Sequence, residues 1–293
     1  MEKTTIPKMI FIVPYRDRSA EKIHFSVYMK YIMEDYDKND YEIYYSHQMD
    51  ERPFNRGATK NIGFLVMKKK YPNDYNNITF IFNDIDTVPI KKNMFNYLTT
   101  KGIIKHFYGF TFTLGGIFSI LGCDFEKCNG FPNNWGWGIE DNVMNERVLL
   151  NEFVINRDEF YPRNSKAVLH LFETSERLIS NKEPENYLKK NFNDNLNTIH
   201  EINYVIVPNN EHSKENSTST INQVTDDEIK NNTKISNIQQ NEYMINISHF
   251  RTFVNPANEI FYTQDMFYNT KLKPNVYENM LRRNRWGLHN NFL

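Results

Sequence analysis

"ITFIFNDIDTVP", residues 78–89, carries the reading on which the fold turns. Five apolar or β-branched residues run without a charge and stop at Asn83-Asp84-Ile85-Asp86. A short apolar run bounded by polar turn residues reads as a buried strand. Upstream, "YEIYY" (41–45) and "MIFIV" (9–13) read the same way. Helical stretches separate them. Ser19 can cap a helix with Glu21 in its first turn, and Ala20, Ile23, Val27 and Tyr31 follow at helical spacing. Residues 57–70 read as a second helix ending in Lys68, Lys69 and Lys70, where the helix dipole favours cations. Strands alternating with helices imply an α/β fold around a parallel sheet with right-handed crossovers.

Ligands of such sheets bind beyond the carboxyl ends of the strands. Three polar clusters fall there: "PYRDR" (14–18), "FNR" (54–56) and "NDID" (83–86). Carboxylates as close as Asp84 and Asp86 repel unless a cation or donor lies between them. A hard divalent ion would resolve that repulsion and neutralise a pyrophosphate as well. The plain alternative is an exposed turn at a strand end. Arg16, Arg18 and Arg56 offer guanidinium forks suited to phosphate oxygens or a uracil carbonyl, and surface arginines are the alternative. Tyr15 and Phe54 are either platforms for a nucleobase or core residues.

Further along, "TFTLGGIFSIL" (111–121) reads as a strand broken at Gly115-Gly116. In "FPNNWGWGIEDN" (131–142), Trp135 and Trp137 lie among glycines directly before Glu140 and Asp141. An aromatic face beside a carboxylate suits a sugar ring, and a glycine-hinged loop can close over a ligand. One of the two acids would then act as a base on an acceptor hydroxyl. The alternative is a core tryptophan, with Asp141 or Asn142 capping a helix over 143–150. His170, in "KAVLHLF", is either a core histidine or an imidazole completing a metal site begun by Asp86, with His249 as its rival.

The 293 residues are 40% hydrophobic and 15% aromatic, enough for a sizeable core. A net charge of −1 argues against nucleic acid as the main partner. No apolar run approaches the roughly 18 residues of a membrane helix, and residues 1–8 lack a signal-peptide core, so a soluble or cytoplasmic protein is expected. Two cysteines, Cys123 and Cys128, make neither a disulfide framework nor a four-ligand zinc site, and both are expected reduced. Asn209–Glu242 is polar and free of aromatic residues, so it is expected to be a disordered insertion.

Taken in order, "FIVPYRDR", "FNRGATKNIGF", "FNDIDTVP", "GGIFSI" and "NGFPNNWGWGIEDN" resemble the β-1,4-galactosyltransferases over roughly residues 9–200. The resemblance implies a GT-A fold, an α/β nucleotide-sugar-binding mixed sheet flanked by helices. It implies a UDP-sugar donor, a glycan acceptor, Mn²⁺ with Mg²⁺ as the alternative, and an inverting transfer that makes a β-linkage. By position, Pro14, Tyr15, Arg16, Arg18, Phe54 and Arg56 would bind the nucleotide. Asp84 would contact ribose or sugar, flanked by Ile85, and Asp86 and His170 would ligate the metal. Trp137 would be the loop tryptophan on the donor, with Gly115 and Gly116 also on the donor side. Asp141 would be the catalytic base, with Glu140 beside it. Trp135, Asp141 and Asn142 would face the acceptor.

Three departures qualify this. Asn142 and Val143 stand where the family usually continues its run of acids, which puts an N-acetylglucosamine acceptor in doubt. Ala167 replaces a frequent metal-binding methionine. Thr113 falls where galactosyl enzymes carry a tyrosine near the donor's C2 substituent, leaving room for UDP-GalNAc as well as UDP-Gal. The implied organisation is a GT-A catalytic domain over 1–208, the insertion over 209–242, and a final strand with a tail packing on the domain over 243–293. A catalytically inactive sugar-binding relative is the alternative reading.

Overall fold

The computed structural model describes residues 5–171, 176–180, 182, 193–209 and 241–265. The expected insertion, apart from its ends, and the tail beyond residue 265 lie outside the described residues. The strands are β1 (Met9–Tyr15), β2 (Tyr41–Gln48), β3 (Thr79–Asn83), β4 (Thr87–Pro89), β5 (Ile103–Gly109), β6 (Ile117–Leu121), β7 (Val154–Asn156), β8 (Tyr161–Pro162), β9 (Val168–His170), β10 (Glu176–Ser180), β11 (His200–Pro208), β12 (Glu242–Arg251) and β13 (Phe261–Asp265). The helices are α1 (Ser19–Ile32), α2 (Arg56–Lys70), α3 (Gly122–Lys127) and α4 (Glu140–Leu150).

The main sheet runs β11-β12-β2-β1-β3-β6-β5-β7, with β8 also pairing β5. It is mixed rather than wholly parallel. β1, β2, β3 and β12 run parallel, while β6 is antiparallel to β3 and β11 to β12. The sheet is apolar on both faces because helices cover both. Along β1, Ile10 and Ile12 point to the α2 side with Ile62 and Phe64, and Met9, Phe11 and Val13 to the α1 side with Phe25 and Met29. That period-2 alternation within a continuous apolar run is the signature of a strand buried on both faces.

Three local expectations need correction. Ser19 is the first residue of α1 rather than its cap, and no side chain caps the helix. The stripe Ala20, Ile23, Val27 and Tyr31 faces outward, with Ile23 59% and Val27 56% exposed. The buried face is Glu21, Phe25, Ser26, Met29 and Ile32. Two polar residues belong to it because they have partners: Glu21 accepts from Arg18 at 3.4 Å, and Ser26 donates to Glu242 at 2.6 Å. The strand expected over 111–121 begins only after the glycines, at Ile117. Both cysteines are free, and burial pushes the Cys128 thiol up to about 12.

Candidate functional site

The carboxyl ends of β1, β2 and β3 deliver the three polar clusters to one edge of the sheet. α2 starts there because Asn55 caps it, accepting from Ala58 N–H at 2.8 Å. Asn55 also donates to Asn133 O at 2.8 Å, tying α2 to the tryptophan-bearing loop. Beyond this, Gly136 N–H bonds Phe54 O at 3.1 Å and Trp137 N–H bonds Leu178 O at 2.6 Å. The loop is thus laced on both sides before α4 begins. Its last residue, Ile139, adopts φ +71°. A β-branched residue in the left-handed region is a strained outlier, and such strain concentrates at functional sites.

α4 places Glu140 and Asp141 in its first turn, where the helix dipole favours carboxylates. Arg56 joins them: its Nη1 bonds Glu140, and also Asp141 Oδ2 at 2.9 Å, while Nη2 bonds Asp84. Lys60, one turn along α2, reaches Asp141 Oδ1 at 2.9 Å. The Asp141 side chain is 20% exposed. Its burial would raise the carboxyl pKa, but Arg56 and Lys60 outweigh that and hold it below the usual carboxylate range. Gly115 is required beside it, because a Cβ there would lie 2.8 Å from Asp141 Cγ and closer still to Oδ2. Asp84 N–H bonds Gly116 O at 2.9 Å, so the glycine pair braces both acids.

The second cluster is formed by β4 pairing antiparallel with β9, which puts Thr87 opposite His170. Asp86 Oδ2 then lies 3.6 Å from His170 Nε2 and 3.3 Å from Arg18 Nη1. Burial raises the Asp86 pKa, but His170 and Arg18 carry it below the ordinary value. Tyr108 OH lies 3.1 Å from His170 Nδ1. Among the described residues, no third His, Cys, Asp or Glu joins this pair. A carboxylate oxygen and an imidazole nitrogen still form a donor set that fits Mn²⁺ or Mg²⁺, with the remaining positions left to diphosphate oxygens and water.

An open cleft of about 380 Å³ adjoins these clusters, lined by Arg16, Asp17, Glu51, Arg52, Pro53, Phe54 and Leu178. Arg16 and Phe54 therefore do face a cavity, and Arg16 also donates to Arg52 O. Tyr15 is buried, its ring 4.7 Å from that of His47. Pro14, Ile85 and Thr113 are buried at this edge.

The expectation for Trp135 is overturned. It is 1% exposed and stacks on Phe250 at 5.3 Å with the rings 8° from parallel. Arg52 lies 4.6 Å over its ring, and its Nε1–H donates to Thr252 Oγ1 and Val254 O at 3.0 and 2.9 Å. A ring with both its face and its donor taken up by the chain cannot cradle an acceptor. Asn142 is buried too, so it presents little surface to an acceptor. Trp137 is half-buried. His249 is paired with Glu201 at 3.9 Å on the β11–β12 ribbon, away from Asp86 as a partner. Lys60, Ile139 and Asn55 went unread in the sequence. Lys60 alone carried a signal, being four residues after Arg56 and therefore on the same helix face.

The architecture is that of GT-A glycosyltransferases. Residues 3–98 match the family model described as the N-terminal region of glycosyl transferase group 7. Residues 104–171 match the one described as the N-terminal domain of galactosyltransferase. The chain belongs to this β-1,4-galactosyltransferase family. It is similar to β-1,4-galactosyltransferase 1 of Bos taurus, 31% identical over 172 residues that make 56% of this chain and 42% of that protein. It is 32% identical to β-1,4-galactosyltransferase 4 of Rattus norvegicus over 53% of this chain and 46% of that protein. The matches thus span less than half the length of these two relatives. The xylosylprotein 4-β-galactosyltransferase of Caenorhabditis elegans is 26% identical over 70% of this chain and 73% of that protein. Among solved structures, the catalytic domain of Drosophila β-1,4-galactosyltransferase 7 in complex with xylobiose gives a TM-score of 0.55 at 19% identity, covering 83% of this chain and 94% of that one. A mutant of the same enzyme was solved with manganese, UDP-Gal and xylobiose, at a TM-score of 0.53. Among the described residues, no helix is long and apolar enough to cross a membrane.

Proposed function

We propose that this chain is a metal-dependent inverting glycosyltransferase. It transfers a hexose, galactose or N-acetylgalactosamine, from a UDP-sugar to a hydroxyl of a glycan or glycoconjugate acceptor, forming a β-linkage. One observation carries the proposal: an ionised carboxylate, Asp141, is fixed by cations from its own chain at the same sheet edge as the Asp86–His170 pair.

Asp141 accepts the proton of the acceptor hydroxyl. The hydroxyl oxygen bonds the anomeric carbon on the face opposite the departing UDP, the glycosidic C–O bond to the diphosphate breaks, and configuration inverts. Arg16, with Phe54, holds the nucleotide in the open cleft, and Arg18 faces the phosphates beside Asp86. Asp84 and Glu140 orient the donor sugar while Arg56 offsets their charge. Trp137 covers the donor and excludes water. Asp86 and His170 would hold Mn²⁺ or Mg²⁺, which supplies charge stabilisation for the leaving diphosphate. The catalytic unit runs over 1–208 and is completed by strands from the segment after the insertion. Glu140 and Asp141 share one guanidinium nitrogen, an arrangement that disfavours hydrolysis by two acids flanking a glycosidic bond.

The test is UDP release from a panel of UDP-sugars with simple acceptors, in MnCl₂ and in EDTA. Release from UDP-Gal or UDP-GalNAc that needs the metal is expected. The ratio between these two donors reports on the small side chain of Thr113. Absence of UDP binding would sink the proposal.

A further inference from the structure

α2 presents two cations to the crevice, one turn apart. Arg56 stands in the "FNR" cluster, while Lys60 lies further along "FNRGATKNIGF" and was given no role there. The Lys60 side chain is 1% exposed, although a lysine stem is long enough to carry its head into water from most helix positions. Its Nζ lies 2.9 Å from Asp141 Oδ1, 3.9 Å from Asp84 Oδ1 and 4.5 Å above the centre of the Phe131 ring. A buried ammonium is costly unless it is paired, and here a carboxylate and an aromatic face provide the pairing.

Arg56 bonds the other oxygen, Oδ2, at 2.9 Å. Each oxygen of Asp141 therefore has its own cation, and Gly115 packs against the same group. The charged and titratable groups around Asp141 are Arg56 and Lys60 from α2, Glu140 on α4, Asp84 after β3, and His106 on β5, which acts on it through space.

We propose that Lys60 is a positioning residue that holds the Asp141 carboxylate in one orientation, and in its charged form, for proton transfer from the acceptor. This rests on Asp141 being the base. A carboxylate gripped at one oxygen can rotate about that contact; gripped at both, it keeps its free lone pairs aimed one way, and orientation of that kind is a large part of catalysis.

Two variants separate charge from geometry. Lys60→Met keeps the length and apolar stem but removes the charge, and Lys60→Gln keeps a hydrogen-bond donor without the charge. Both are assayed in full-length protein with UDP-Gal, MnCl₂ and the acceptor that wild type uses best. Lys60→Met is expected to lower kcat by about tenfold or more, to leave the donor KM within about twofold, and to move the acidic limb of kcat/KM to higher pH by about one unit. Lys60→Gln should recover part of kcat but not the position of the limb. A folded variant with an unmoved limb overturns the proposal, whatever its melting temperature.

A second measurement does not depend on turnover. Urea unfolding of Lys60→Met, Asp141→Asn and the double variant closes a cycle, in which Lys60→Met should cost less stability once Asp141 is neutral. Additive effects overturn the pairing. Clear coupling together with wild-type turnover of Asp141→Asn would instead locate the failure in the assignment of Asp141 as base.

Discussion

On the α2–α4 side of the crevice, Asp84, Glu140 and Asp141 share two cations from α2. On the β4–β9 side, Asp86 faces His170 at 3.6 Å and Arg18 at 3.3 Å, and Glu21 meets the same Arg18 nitrogen at 3.4 Å. The first side closes its charge within the chain; the second keeps its contacts long. In the proposed reaction this difference has a reason. A base must be ionised and oriented before the acceptor arrives, so its counter-charges are built in. A carboxylate that receives a divalent cation must keep coordination free until the cation arrives with the donor.

The largest expected effect is on the first side. Asp141→Asn should lower transfer by about 10²–10⁴-fold while calorimetry shows UDP binding in Mn²⁺ close to wild type. A variant within tenfold of wild-type turnover would mean that the preorganised side is structural and that the base lies elsewhere.

Stability should divide the two sides next. Arg56→Met leaves three carboxylates around a lost guanidinium and should cost about 3–5 kcal/mol in urea unfolding. Asp86→Asn should cost less, because its contacts are longer and it strands no group of carboxylates, yet it should remove the Mn²⁺ dependence of UDP binding. Equal losses from the two substitutions would erase the contrast between a closed and an open half.

How much of this the sequence disclosed follows from how local each signal is. β1, β2, β3 and α2 were legible because apolar runs and terminal lysines are written within a few residues of one another. The Asp84–Asp86 turn was legible because a strand end dictates its place. α1 was read on the wrong face, since apolar residues occur on both of its sides and only the distant Glu242 explains why Ser26 turns inward. Trp135 was misread for a similar reason. Its neighbours are glycines, which suggest an open loop, but its stacking partner Phe250 and its acceptors Thr252 and Val254 lie more than a hundred residues downstream. Lys60 resembled the surface lysines at the end of the same helix, and only the position of α4 makes it a partner of Asp141.

The last expected effect concerns a residue that touches both halves. His106 is buried on β5 with Nε2 3.0 Å from Tyr108 O and 3.1 Å from Gly115 O. Arg157 Nε, which can only donate, lies 3.2 Å from Nδ1. Nδ1 is therefore the acceptor and Nε2 carries the hydrogen, so the ring is neutral. Burial, with Arg157 next, pushes its pKa from 6.5 down to about 4. In the unfolded chain the imidazole takes up a proton near pH 6.5; in the fold it resists until about 4. Between those values the unfolded state binds more protons, so stability falls as pH falls through that window and is whole above it. The depressed carboxylates of Asp141 and Asp86 act in the same direction, but their losses come as pH falls further, through their own lowered values. From pH 6.5 to 4.5 the His106 share should be about 2–3 kcal/mol. His106→Gln, which keeps an N–H donor and cannot charge, should unfold in urea with a flatter pH dependence over that interval; parallel curves for variant and wild type would discard the assignment. His106 grips Gly115, which packs on Asp141, and it also grips the carbonyl of Tyr108, whose hydroxyl meets His170. Acid that protonates this ring puts an N–H of Nδ1 against the Arg157 guanidinium, so the loss of stability is expected at that contact, while Nε2–H keeps its hold on both carbonyls and with them on the ground beneath the two halves.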